Sequence, residues 1–251
     1  MRNNRPDLNG LLIIDKPLGW TSSHVCRFIK RVTRGAKVGH AGTLDPLATG
    51  VLIICLGKAT KLVDSLMASD KQYAATIDLS RTSPTQDLES ATSEVPVANP
   101  PSREAVEQVL TAFVGAIMQT PPAHSAVKVD GERAYELARA GKLACATRDE
   151  PPPSAPESAE EPSRRLTPRP VLIHSIAITG YRWPILELDI HCGKGTYIRS
   201  LARDIGIALK TGGVLTGLVR TRSGGFAIHA ARTIESLPAV INPGDLVDAG
   251  V

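Results

Sequence analysis

Residues 37–62 read KVGHAGTLDPLATGVLIICLGKATKL, in which a loop punctuated by three glycines and a proline runs into the unbroken apolar stretch Val51 to Leu56. That stretch is short, partly β-branched and bounded by turn residues, which predicts a strand buried in the interior. GLLII at 10–14 predicts a second one for the same reasons. A loop leading into a buried strand is a rigid place from which to aim side chains. This one carries His40 and Asp45, and Gly39 and Gly42 open its backbone to close approach. Asp-Pro is also a common helix or turn opener, with Asp45 as cap and Pro46 at the first helical position. Residue chemistry alone therefore leaves a structural and a catalytic reading of Asp45 open. His40 and Asp45 have no further clustered ligands, so no metal site is expected.

Outward from this block, Val25, Phe28, Ile29 and Val32 recur at helical spacing behind the candidate caps Thr21, Ser22 and Ser23. Arg27, Lys30, Arg31 and Arg34 follow the same spacing on the other side, with Lys37 next, a row suited to a nucleic-acid backbone. Tyr73 to Leu79 alternates as a strand. Ser102 opens a helix with the stripe Val106, Val109, Leu110 and Phe113, stopped at Gly115, and 131–141 reads as a short helix. Strands follow at 171–178 and 185–190. The glycine turn in HCGKGTYIRSLARDIG then leads into a helix with Ile198, Leu201, Ala202 and Ile205 inside and Arg199, Arg203 and Lys210 on the other side. Exposed amides at its start, flanked by Lys194 and Arg199, make a candidate anion site. Alternating strands and amphipathic helices without a regular βαβ rhythm predict an α+β fold, with a mixed, mostly antiparallel central sheet flanked by helices.

At 251 residues, 42% hydrophobic and 22% charged, the chain has the composition of a globular protein with a sizeable core. The net charge of +4 is too small to establish a nucleic-acid partner, but its distribution is uneven. Residues 1–40 hold eight basic and two acidic side chains, and residues 191–222 hold six basic residues against Asp204 as the sole acid. Between them, 149–161 has five acids and no base, and 151–170 has seven prolines, so 145–168 is expected to be a disordered surface insertion. No apolar run approaches the about 20 residues of a membrane helix. The N-terminus lacks the apolar core of a secretion signal, so a cytoplasmic protein is expected. Cys26, Cys55, Cys145 and Cys192 form no CxxC pair and are expected to be structural thiols.

Taken together, KPLGWTSSHV (16–25), residues 37–62, KQYAATIDL (71–79), QTPPAHSAVKVDGERAYELARAG (119–141) and CGKGTYIRSLARDIG (192–206) resemble, in order, the TruB-type tRNA pseudouridine synthases. The likeness spans roughly 10–235, and the GHxGxLDPxATG block is its most specific part. It implies the pseudouridine synthase catalytic fold over 1–235 and an isomerase that converts one uridine, position 55 in the T-loop of tRNA, to pseudouridine. It also implies that no cofactor or metal takes part. Asp45 matches the family's essential aspartate, acting at C1′ as nucleophile or at C2′ as base, since a single carboxylate suffices for either route. Arg199 matches the arginine that pairs with that aspartate, and Asp87 joins the same ion network. Tyr73 matches the tyrosine that stacks on the flipped base and takes part in proton handling. His40, Tyr197 and Leu218 match residues lining the uridine pocket, while Lys16 and Pro17 match a supporting block.

The resemblance departs at LSRTSPTQDLES, where Ser80, Pro84 and Ser90 replace glycine, aspartate and glycine of the family pattern. The small C-terminal RNA-binding domain usual in bacterial relatives is expected to be absent, leaving 236–251 as a short tail. The expected partner is the tRNA T-arm, bound by a monomer that is not at a membrane. A non-catalytic tRNA-binding or folding factor on the same scaffold is the rival reading, and a metal-assisted hydrolase using His40 and Asp45 is a more distant third.

Overall fold

The computed structural model describes residues 8–125, 127–129, 131–140, 143–144 and 164–250. Its main elements are β1 (Gly10–Lys16), α1 (Ser22–Val32), β2 (Val38–Ala41), β3 (Ala48–Leu56), α2 (Val63–Ala68), β4 (Lys71–Asp78), α3 (Arg103–Thr111), β5 (Gly115–Gln119), α4 (Ala134–Arg139), β6 (Arg169–Arg182), β7 (Ile185–Cys192), α5 (Ile198–Leu209), β8 (Val214–Ser223) and β9 (Phe226–Ala227). The central strands follow the order β1-β3-β8-β4-β7-β6-β5, with β2 added to β3 and β9 to β8. β8 runs parallel to β3, whereas β1 and β2 on β3, β5 on β6 and β9 on β8 are antiparallel. The expected α+β class with a mixed, mostly antiparallel sheet is thus the observed one. The chain divides into two compact units, Met1–Ala75 with Leu188–Lys194 and Gly217–Val251, and Thr76–Glu187 with Gly195–Thr216.

In the first unit, β1 and β3 are buried on both faces, which is why their sequences are continuously apolar rather than alternating. One face packs Leu11, Ile13, Val51, Ile53 and Cys55 with Ala41 and Ala59. Leu12, Ile14, Leu52 and Ile54 on the other face are equally buried, as are Val25 and Ile29 of α1. Thr21 caps α1 through its side chain, accepting the His24 N–H at 3.0 Å. Residues near the C-terminus, expected as a tail, run beside β1, where Leu11 and Val247 exchange backbone hydrogen bonds of 2.9 and 2.8 Å.

Gly50 marks where β3 and β8 meet. It sits at φ +96°, and a Cβ there would fall 2.3 Å from the Arg220 carbonyl oxygen. Gly50→Ala combines left-handed strain with overpacking, each about 1–3 kcal/mol. A loss of about 2–6 kcal/mol is expected in urea unfolding, and a variant as stable as the parent would refute this account.

In the second unit, Ser102 caps α3 as expected, and α3 packs against α5 and β6. The core gathers Ile77, Leu79, Val106, Leu110, Phe113, Ile173, Leu186, Leu201, Ile205 and Leu215. The acidic, proline-rich insertion expected at 145–168 lies outside the described residues over 145–163. Its end is corrected: Arg164–Arg165 pairs in parallel with Leu143–Ala144, and Leu166 is buried. Cys145 also lies outside the described residues, and among those described Cys26, Cys55 and Cys192 are not joined in a disulfide.

Candidate active site

In the first unit, Asp45 occupies the loop between β2 and β3, half-buried, on a backbone held from several sides. The Ser22 hydroxyl accepts from Leu44 N–H at 2.9 Å and donates to Leu44 O at 3.2 Å. The Gly19 N–H donates to Pro46 O at 2.8 Å, and Ala48 N–H closes a turn onto Asp45 O at 3.0 Å. Asp-Pro therefore does build a turn, and that turn leads into β3 rather than opening a helix. Lys16 is fully buried, with Nζ donating to Trp20 O at 2.6 Å, Pro17 O at 2.9 Å and Pro46 O at 3.4 Å. These three carbonyls hold an ammonium in the interior and lock the first family block to the loop.

Burial lowers the Lys16 pKa to about 8; the Asp45 carboxylate pulls it back up, and the Arg220 charge lowers it further. From about pH 8 the folded chain gives up a proton that the unfolded chain keeps, so stability must rise with pH, by up to about 1.4 kcal/mol per unit. Above about pH 9 the Cys26 and Cys55 thiols, each pushed by burial to about 11, work in the opposite sense because unfolding releases their protons. The urea midpoint of the parent should therefore climb between about pH 7.5 and pH 9 relative to that of Lys16→Met. Parallel profiles would refute the assignment.

Tyr73 lies on β4 with its side chain almost wholly inside. Burial pushes its phenol pKa up, while the charge of Arg220 pulls it down. His40 on β2 is half-buried, facing Ile54 across the ladder. Its imidazole is held below its ordinary pKa, first by burial and then by Arg220. Among the described residues, His40 Nδ1 has no hydrogen-bond partner. Leu218 is buried on β8 opposite Ala48.

Sequence reasoning missed two cations of this unit. Arg220 and Lys71 are buried, Lys71 with its ammonium on the Met67 carbonyl at 2.6 Å and on the Ser69 carbonyl. In the sequence they were only members of a basic region and of a strand block. The exposed basic row Arg27, Lys30, Arg31, Arg34 and Lys37 does lie on and after α1. Trp20 stacks on His24 at 4.0 Å, and the Arg31 guanidinium lies 5.1 Å from the Phe28 ring centroid.

The second unit holds Arg199, Tyr197 and Asp87. Helical spacing put Arg199 on the outer side of α5, but it is 5% exposed, because α5 is enclosed around most of its circumference and Ser200 and Asp204 are buried with it. Its Nη1 lies 3.3 Å from Asp87 Oδ2 and donates to Thr85 O at 3.3 Å, and Nη2 donates to His124 O at 3.0 Å. At the start of α5, where the sequence offers a candidate anion site, the Gln119 side chain binds the main chain of Tyr197. Its Oε1 accepts from Tyr197 N–H at 2.8 Å, and its Nε2 donates to Tyr197 O at 3.1 Å.

The loop that departs from the family pattern is closed by its own side chains. Ser90 Oγ accepts from Thr85 N–H at 3.2 Å and shares a 2.8 Å hydrogen bond with the Thr85 hydroxyl. The Ser83 hydroxyl donates to Asp87 O at 2.7 Å, and Asp87 Oδ1 accepts from Glu89 N–H at 2.9 Å.

The TruB family pseudouridylate synthase N-terminal domain matches residues 30–150. The chain is 45% identical over 222 residues to tRNA pseudouridine synthase B of Bacteroides fragilis, covering 85% of this chain and 86% of the relative. The chain belongs to the TruB family of pseudouridylate synthases. The TruB relative from Thermobifida fusca, also named tRNA pseudouridine synthase B, is 41% identical over 249 residues, covering 96% of this chain and 78% of its own. Among solved structures, a chain in a Cbf5-Nop10-Gar1 complex superposes with a TM-score of 0.65 at 30% identity, over 92% of this chain and 54% of that one. A second, in an H/ACA RNP bound to a substrate RNA containing 2′-deoxyuridine, gives 0.61 at 28% identity, over 91% and 52%. The present chain thus spans about half the length of each of these structural relatives.

Proposed function

We propose that this protein isomerises one uridine of tRNA, position 55 in the T-loop, to pseudouridine. The observation that carries the reading is Asp45 half-buried on a turn whose main chain is pinned at Leu44, Pro46 and Asp45 itself, in the same unit as the buried Tyr73. The C1′–N1 bond breaks, the base turns, C1′ bonds to C5, and the C5 proton is exchanged for one on N1. No atoms are gained or lost overall, so the stoichiometry needs no co-substrate. A carboxylate held ionised supplies the demand at the ribose, as nucleophile at C1′ or base at C2′. Tyr73 stacks on the extruded base, which repays about 1–3 kcal/mol of the unstacking cost. In the first unit His40 and Leu218 are assigned to the uridine, and in the second unit Arg199 is braced by Asp87. The exposed row on α1 follows the phosphates of the T-arm. The protein works as a cytoplasmic monomer over a catalytic domain of residues 1–235.

An unmodified tRNA transcript incubated with the protein should gain pseudouridine at that single T-loop uridine, read by carbodiimide primer extension. A transcript bound but left unmodified would overturn the reading and favour a non-catalytic binding factor. Activity abolished by EDTA would favour metal-assisted chemistry instead.

A further inference from the structure

The face of α1 that meets the core is formed by Ser22, Val25 and Ile29. Away from them the helix carries a column of planar groups. The His24 and Trp20 rings stack with centroids 4.0 Å apart and planes 6° from parallel, and Phe28 meets Trp20 edge-on at 6.0 Å. The Arg31 guanidinium closes the column 5.1 Å from the Phe28 centroid. Positions 20, 24, 28 and 31 follow the spacing of one helical stripe. Trp20 and Phe28 are partly buried, but His24 is exposed. Trp20 covers one face of its imidazole, and among the described residues no other ring covers the second. Arg27, Lys30, Arg31, Arg34 and Lys37 are exposed along the same segment, with no acidic residue from 26 to 39. Among the described residues none of these five cations is paired with a carboxylate. Cations alone suit any polyanion, and a ring alone suits any flat apolar group. Interleaved on one helix, they suit a chain that offers phosphates and open base faces together. A duplex keeps its base faces inside its own stack, and an acidic peptide has none. The column begins one residue after Gly19, whose N–H donates to Pro46 O at 2.8 Å, so it adjoins the loop that carries Asp45.

We propose that α1 is a binding surface for single-stranded RNA, on which an unpaired base stacks on the open face of His24 while Arg27, Lys30 and Arg31 take the flanking phosphates. This adds a base contact to the phosphate contacts assigned above to the same helix. That the strand belongs to tRNA rests on the function proposed above, whereas the preference for an unpaired strand rests on the column itself.

The full-length protein should bind a short, fluorescently labelled oligoadenylate, which contains no uridine, as read by anisotropy at low salt. His24→Ala keeps the N–H that Thr21 accepts and should weaken this binding by about tenfold. His24→Phe, which keeps a ring but cannot be charged, should restore most of the affinity. A blunt RNA duplex should bind the parent and His24→Ala alike, because the cations serve it and the ring does not. Parental affinity in His24→Ala, no recovery in His24→Phe, or an equal loss on the duplex would each overturn the proposal. Binding of polyglutamate that weakens as much in His24→Ala would overturn it in favour of an acidic protein partner. Independently of His24, replacing Arg27 and Arg31 together by Gln should flatten the salt dependence of oligoadenylate binding by a log-log slope of about 1.4, and an unchanged slope would also overturn it. Oligoadenylate bound through His24 by a protein that makes no pseudouridine would refute the function proposed above and leave this surface standing.

Discussion

Asp45→Asn should lower single-turnover pseudouridine formation by about 10⁴-fold or more, with tRNA affinity and melting temperature nearly unchanged. Asparagine has the shape of aspartate, and main-chain groups hold the loop on both sides of it. Ser22 fixes Leu44, Lys16 and Gly19 fix Pro46, and Ala48 closes the turn on the Asp45 carbonyl. The replacement removes the carboxylate charge and leaves those hydrogen bonds in place. Neither attack at C1′ nor proton abstraction at C2′ can proceed from a neutral amide at a useful rate. The measurement is carbodiimide primer extension over time beside filter binding of the same transcript. A loss of less than about tenfold would remove Asp45 from the reaction.

The second large effect belongs to Asp87, which is fully buried 3.3 Å from the equally enclosed Arg199. Asp87→Asn keeps the side-chain oxygen that accepts the Glu89 N–H, so the loop retains its turn while the guanidinium loses a buried charge partner. The carbonyls of Thr85 and His124 remain as acceptors but carry no charge. Removing one member of a buried pair costs about 3–5 kcal/mol, whereas replacing both by apolar groups can be close to neutral. Urea unfolding of Asp87→Asn should show a loss of that order, and Asp87→Leu with Arg199→Met should recover most of it. The double variant should stay inactive if Arg199 takes part in the reaction as proposed. Full stability in the single variant would mean that the pair contributes nothing to the fold.

Much of this architecture was legible without coordinates. The apolar runs at 10–14 and 51–56, the caps at Thr21 and Ser102 and the stripes of α1 and α3 are local, and local chemistry encodes them. The ordered family blocks named the candidate aspartate, tyrosine and arginine before any geometry was known. Periodicity misled at α5, because spacing on a helix shows which residues share a face but not whether the opposite face meets solvent. Arg199 and Ser200 are polar residues on a helix enclosed on nearly all sides, paired by groups that are remote in sequence, while Asp204 is buried beside its neighbour Arg203.

The sequence by itself determined the elements, the fold class and the family, since these rest on periodicity, capping and motif order. Only the tertiary structure decided the roles of Lys16, Lys71, Gln119 and Arg220. Each of them binds main-chain groups, and every residue carries the same amide, so the sequence holds no mark of which carbonyl an arginine will meet. Arg220 reaches Val51 and Gly42 across 169 and 178 positions, and it was the packing of β3 against β8 that brought them together.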